Sequence, residues 1–133
     1  MKNPALFYLT VGALQVVALV TIMYVTIAPH HAHACDCTDY AFHALRSVGL
    51  KLKTVPAVAL TLDRSRYSRG VTWINKADER PNHPCQVEVH EFVHHYQWLR
   101  DGDAITAGQW WQRENDADIT TRYAQAQYGE CEK

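Results

Sequence analysis

The chain has 133 residues, which is enough for one small domain. Thirteen Lys and Arg residues against fourteen Asp and Glu residues give a formal net charge of −1. This balance does not favour nucleic acid as a partner. With 47% hydrophobic and 20% charged residues, the composition argues against a chain that is disordered throughout.

The first part of the chain is apolar. No Asp, Glu, Lys or Arg occurs between Asn3 and Ala34, and residues 5–28 form a long apolar run. A helix of this length crosses the roughly 30 Å hydrocarbon core of a bilayer. We therefore predict an N-terminal transmembrane helix, acting as a signal anchor within residues 1–34. The alternative is a signal peptide cleaved after Ala34, because the preceding residues fit an A-x-A site.

Charge and cysteine positions predict where the remaining domain, residues 35–133, would lie. Lys2 precedes the apolar run and the next positive residue is Arg46, which predicts a domain outside the cytoplasm, either periplasmic or extracellular. All four cysteines follow the run, which indicates two disulfides. They are Cys35, Cys37, Cys85 and Cys131. A Cys35–Cys37 bridge would close a very small ring, so each is expected to pair with either Cys85 or Cys131, and both patterns stay open.

The periodicity of residues 35–133 predicts an α+β domain. The predicted elements are a helix at 38–48, strands at 56–62 and 70–75, and helices at about 85–100 and 107–128. Residues 63–69 are predicted to be a polar turn. Thr106 and Gln109 fit a capping box for the last helix, and Gly129 ends it. The expected fold is a short helix, a two-stranded sheet and an antiparallel pair of helices.

The first long helix contains the motif His90-Glu91-Phe92-Val93-His94. Residues four apart lie on one face of a helix, so both imidazoles can bind the same ion. Glu91 can then reach a water molecule beside the metal, which is the position of a general base. The spacing predicts a zinc site.

A third ligand is predicted on the second long helix. His94 lies eight residues before Gly102, and Glu114 lies eight residues after Thr106. In an antiparallel hairpin these two side chains stand at the same height. Asp118, one turn beyond Glu114, can accept the free N–H of a ligand histidine.

The spacing resembles that of the gluzincin metallopeptidases, whose pattern is H-E-x-x-H, a spacer, then E-x-x-x-D. Nineteen residues separate His94 from Glu114, as in the thermolysin-like branch. Residues 89–97 also look like small bacterial zincin-like proteins with H-E-x-x-H-x-x-Q. The resemblance implies a minimal zincin-like domain that binds one Zn²⁺ through His90, His94 and Glu114. It also implies that Glu91 is the base and that Asp118 orients a histidine.

Larger gluzincins have a further lobe that supplies an oxyanion-stabilising histidine, for which residues 35–133 leave no room. The candidates for this role are Tyr123 and His95, followed by Tyr67 and His83. Zincins commonly hold substrate along a sheet edge, and residues 70–75 are interpreted either as that edge or as an ordinary core strand.

Two further groups leave alternatives open. The arginines of the predicted turn either favour an acidic substrate or belong to a solvated turn. They are Arg64, Arg66 and Arg69. Trp98, Trp110 and Trp111 flank the turn between the long helices and are expected mainly in the core. The alternatives are that they line a cleft or lie near the membrane surface.

We therefore predict a membrane-anchored zinc metallopeptidase that hydrolyses a peptide or protein substrate. The alternative is a non-catalytic zinc-binding interaction module that acts through a partner protein. A third hypothesis is a disulfide-linked helical hairpin with no metal.

Overall fold

The computed structural model describes residues 33–132 of the chain. The elements in chain order are β1 (His33–Ala34), α1 (Cys37–Ser47), β2 (Ala57–Leu60), β3 (Arg66–Ser68), β4 (Val71–Ile74), a 3₁₀ turn (Lys76–Asp78), α2 (Gln86–Asp101), α3 (Ala107–Tyr128) and β5 (Cys131–Glu132). The three predicted helices are confirmed. The capping box of α3 is present, with Thr106 and Gln109 bonded reciprocally.

The main sheet has three strands in the order β2-β4-β3, so the predicted two-stranded sheet is wrong. β2 pairs with β4 in parallel, and β3 pairs with β4 antiparallel. β3 was missed because Arg-Tyr-Ser carries no apolar alternation. It forms because Arg69 and Gly70 have positive φ angles of 40° and 90°, which suit a two-residue hairpin turn.

The same topology decides which strands lie at the edge. β4 pairs on both sides, so residues 70–75 do not form the sheet edge that was one of the two interpretations. The edge strands of this sheet are β2 and β3. Among the residues that the structure describes, a peptide that extends the sheet must therefore pair with one of these two strands.

The predicted transmembrane or signal helix at residues 5–28 lies outside the described residues. Within residues 33–132, no helix is long and apolar enough to cross a membrane. α3 has 22 residues, but it carries charged side chains from Arg113 to Arg122. The predicted fold with a membrane helix and the predicted single-pass localisation are therefore corrected to the domain that residues 33–132 form, which contains no spanning helix.

The core lies where α1 meets α2 and α3. It is built from Tyr40, Ala41, Ala44 and Leu45 of α1, Val89, Phe92 and Val93 of α2, and Ala117 and Ala124 of α3, together with Cys85 and Cys131. Phe92 and Leu45 are fully buried. The buried residues of α3 are the small Ala117, Thr121 and Ala124, which allow α3 to approach α2 closely.

Two disulfides join the chain at the edge of this core. Cys35 pairs with Cys131, and Cys37 pairs with Cys85. The first bridge ties the segment before α1 to β5, next to the short parallel pair of β1 and β5. The second ties the start of α1 to the residue that precedes α2. The prediction of two disulfides is thus confirmed, and the structure selects one of the two open pairings.

The hairpin turn provides a test of the third strand. Gly70→Ala should lower the free energy of unfolding by about 1 kcal/mol, because Gly70 has a φ of +90° that costs an L-residue energy. No atom lies within 4 Å of the added Cβ, so the backbone conformation alone causes the loss. Urea unfolding followed by circular dichroism measures it.

Gly108→Ala is the matched control for this substitution. Gly108 lies in α3, and the nearest atom to an added Cβ is 4.0 Å away, so alanine should leave stability unchanged or raise it slightly. Equal losses in the two variants would contradict the proposed role of the turn.

Candidate metal centre

Three predicted side chains converge between α2 and α3. His90 and His94 lie one turn apart on α2, and their Nε2 atoms are 3.1 Å apart. Glu114 reaches them from α3, with Oε2 3.4 Å from His90 Nε2 and Oε1 3.1 Å from His94 Nε2. The three residues offer ligand atoms that all lie within 4.8 Å of one another. They form a group that can hold a metal ion.

Each histidine is oriented through its other ring nitrogen. His90 Nδ1 lies 3.1 Å from Asp118 Oδ1, in the arrangement expected from the sequence. His94 Nδ1 lies 2.8 Å from Oε1 of Gln97, and Gln97 Nε2 donates to the carbonyl oxygen of Arg113 at 3.0 Å. The buried Gln97 amide therefore connects one imidazole to the backbone beside Glu114.

Sequence analysis assigned no role to Gln97. The available signal was its place three residues after His94, which puts it on the same face of the helix. The hydrogen bond to Arg113 joins two helices, so no spacing within one helix predicts it.

The arrangement of acceptor atoms in this group favours the binding of a cation. Asp118 and the Gln97 carbonyl are acceptors, so each Nδ1 carries the proton and each Nε2 presents a lone pair. Burial lowers the pKa of His94, which favours its neutral form. Two ring nitrogens and the Glu114 carboxylate oxygens then face one another with no donor between them, an arrangement that a shared positive ion stabilises.

Two other groups of side chains are close enough to hold a metal. One contains Cys35, Cys85 and Cys131, and the other contains Cys37, Glu79 and Glu88. All of these cysteines are in disulfides, so they offer no thiolate. Lys76 Nζ lies 2.7 Å from carboxylate oxygens of both Glu79 and Glu88. The histidine group is therefore the candidate metal centre.

Glu91 is buried beside this centre and lines the same cleft. Its side chain is 6% exposed, and its Oε2 atom has no hydrogen-bond partner among the described residues. Burial raises the pKa of Glu91 to about 8, and the neighbouring Glu114 carboxylate adds to the rise, while Arg64 opposes it. A carboxyl group whose pKa lies close to neutral pH can release its proton and take one back.

The centre opens into a cleft of about 1070 Å³. One wall consists of α2 and α3, and the facing wall consists of residues 63–69 with Asp78 and Arg80 from the segment before α2. Trp98 and Trp110 line the cleft. Trp110 and Trp111 are 44% and 67% exposed, so the expectation that these two tryptophans form the core is wrong. They lie near the turn between the helices, away from the core against α1.

The two residues named first as oxyanion stabilisers lie elsewhere. Tyr123 is 56% exposed on α3, His95 is 2% exposed on α2, and neither lines the cleft. His95 Nε2 lies 2.9 Å from the carbonyl oxygen of Thr54, and its Nδ1 lies 3.0 Å from the Tyr67 hydroxyl. Tyr67 lines the cleft, but its hydroxyl also accepts a hydrogen bond from Gly70 N–H. His83 lies in the loop before α2 and does not line the cleft.

Removal of the Gln97 amide should weaken metal binding. Gln97→Leu leaves the His94 Nδ1–H without its acceptor, and we expect zinc affinity to fall about 10- to 100-fold. Competition with a chromogenic chelator measures the affinity. Gln112→Leu, an exposed change on α3, is the control and should bind zinc as the unmodified protein does. Wild-type affinity in Gln97→Leu would show that the contact does not orient the ligand.

Glu91 should make the metal-free protein less stable as the pH rises. The folded chain keeps this carboxyl protonated up to about pH 8, whereas its ordinary pKa is 4.5. The stabilising contribution is therefore complete below pH 4.5 and is lost as the pH rises through 8. Urea unfolding of chelator-treated protein should show that Glu91→Gln gains stability relative to the wild type between these pH values. A difference that does not change with pH would contradict this expectation.

Comparisons of the chain with protein-family models, with curated proteins and with solved structures found no match. The interpretation of this centre rests on its own residues and geometry.

Proposed function

We propose that the protein is a zinc-dependent metallopeptidase whose metal is held by His90, His94 and Glu114. The observation that carries the proposal is the convergence of two Nε2 atoms, 3.1 Å apart, with the two Glu114 carboxylate oxygens at 3.4 and 3.1 Å from them. Two imidazoles and one carboxylate are the ligand set of a catalytic zinc site that keeps one position open. A closed structural site would need a fourth protein ligand.

The reaction class follows from the residues around this centre. When bound, zinc supplies Lewis acidity that activates water near neutral pH and polarises the peptide carbonyl. Glu91 takes a proton from the water molecule as the water oxygen attacks the carbonyl carbon of the peptide bond. It returns that proton to the nitrogen as the C–N bond breaks, leaving a carboxylic acid and an amine.

A peptide is the substrate that best suits the cleft. The edge strand β3 lines the cleft along its whole length, opposite the histidines. An extended peptide can pair its backbone with such an edge and bring one bond to the centre. The resemblance of the H-E-x-x-H and E-x-x-x-D spacing to gluzincins supports the same substrate class.

One observation favours the alternative, a non-catalytic zinc-binding interaction module. The side chains proposed first to stabilise the oxyanion, Tyr123 and His95, do not line the cleft. A module of this kind would bind a partner protein and would not depend on Glu91.

Glu91→Gln distinguishes the two functions. The variant should bind one zinc ion per chain but lose activity by about 10²- to 10⁴-fold, because the base is gone while the ligands remain. Zinc content is measured by elemental mass spectrometry, and cleavage is measured by mass mapping of a casein digest.

Two controls accompany this variant. His90→Ala should lose both zinc and activity, and Glu130→Gln, a charge-matched exposed change after α3, should keep both. Bound zinc without any cleavage by the wild type would favour the interaction module, and a wild type that binds no zinc would contradict both functions.

A further inference from the structure

The two walls of the cleft differ in charge. The helical wall carries three carboxylates, Glu91, Glu114 and Asp118, of which Glu114 and Asp118 contact the histidines, and one arginine, Arg113, which donates to the Gly102 carbonyl oxygen. The facing wall contributes Arg64, Arg66, Arg69 and Arg80. Asp63 and Asp78 also lie on that side, and Asp103 lines the cleft beside Arg69. A negatively charged group that enters the cleft is therefore drawn toward the arginine wall and away from Glu114 and Asp118.

These arginines are not equally available. Arg69 forms an ion pair with Asp103 at 3.1 Å, and Arg66 lies over the Trp73 ring at 5.4 Å. Arg64 and Arg80 make no side-chain hydrogen bond or ion pair with any residue that the structure describes, although the charge of Arg64 acts on the Asp78 carboxyl group. The Arg64 guanidinium thus keeps donors for a ligand.

The backbone around Arg64 is held in place. Ser65 N–H donates to Asp78 Oδ2 at 2.8 Å, and Asn75 Nδ2 donates to the Leu62 carbonyl at 3.1 Å. Asn75 N–H also donates to Ser65 Oγ at 2.8 Å. A residue on a segment fixed at both sides loses less freedom when it binds a ligand.

Arg64 and Glu91 line the same cleft, and the positive charge of Arg64 acts on the Glu91 carboxyl group. A substrate group that reaches Arg64 is therefore close to the peptide bond for whose cleavage Glu91 is the proposed base. Guanidinium and carboxylate form paired, charge-assisted hydrogen bonds.

We propose that Arg64 binds a carboxylate side chain of the substrate beside the scissile bond, so that the cleft selects acidic peptides. The inference rests on the proposed peptidase function and adds the substrate class. Arg64 then acts as a specificity residue, and Asp or Glu next to the cleaved bond is the feature that it recognises.

The test uses two fluorogenic peptides that differ only in Glu or Gln beside the bond cleaved in casein. The zinc-loaded protein should cleave the Glu peptide about tenfold better in kcat/KM. Arg64→Gln should abolish the preference by lowering only the rate for the Glu peptide. Salt at about 1 M should also reduce the preference, because the Debye length falls to about 3 Å.

Arg46→Gln is the matched control. Arg46 is exposed on α1 and does not line the cleft, so this variant should keep both the activity and the preference. Equal cleavage of both peptides by the wild type, or a preference that survives in Arg64→Gln, would overturn the inference and leave the peptidase function intact.

Absence of any casein cleavage by zinc-loaded protein would contradict the peptidase function instead. Two peptides that differ only in one Glu or Gln are then titrated against Glu91→Gln protein, with the total tryptophan fluorescence, to which Trp98 and Trp110 in the cleft contribute, as the readout. Tighter binding of the Glu peptide that is lost when Arg64 is also replaced would support carboxylate recognition. Equal binding of the two peptides would overturn it.

Discussion

The close antiparallel contact between α2 and α3 is the constraint on which the candidate centre depends. His90 and His94 come from one helix and Glu114 from the other, so an axial shift of one turn would separate them by about 5 Å. Small buried residues on α3, Ala117 and Ala124, allow close approach. The hydrogen bond from Gln97 to the Arg113 carbonyl then sets the register at the height of the centre.

A second set of contacts holds β3, which borders the cleft, against α2. His95 does not line the cleft and bonds to Thr54 and Tyr67, while Tyr67 accepts a hydrogen bond from Gly70. These bonds attach the β3 hairpin to α2. Two adjacent residues of α2 therefore have different roles: His94 belongs to the candidate metal centre, and His95 holds β3 through its bond to Tyr67. The disulfides add cross-links where the core is small.

The burial of Glu91 reduces folding stability at the position where the proposed reaction needs a base. A buried carboxyl oxygen without a hydrogen-bond partner is unfavourable for folding. On the same helix, buried Glu88 also has one oxygen without a partner, Oε2, but its Oε1 is paired with Lys76, and buried His95 is bonded to Thr54. Such a conflict beside convergent ligand atoms is typical of a site under functional constraint.

The sequence by itself determined the helices and the spacing of the ligand group. These signals are local, since the Thr106–Gln109 box, Gly102 and the four-residue step from His90 to His94 depend only on helix geometry. Tertiary structure alone decided the cysteine pairing, the third strand and the tasks of Gln97 and His95. Arg66–Ser68 has no apolar alternation, and it becomes a strand only because β4 and the Arg69–Gly70 turn offer it hydrogen bonds. Which nitrogen, carbonyl or sulfur a side chain meets depends on elements distant in the chain, and only the packed helices and sheet bring those atoms together.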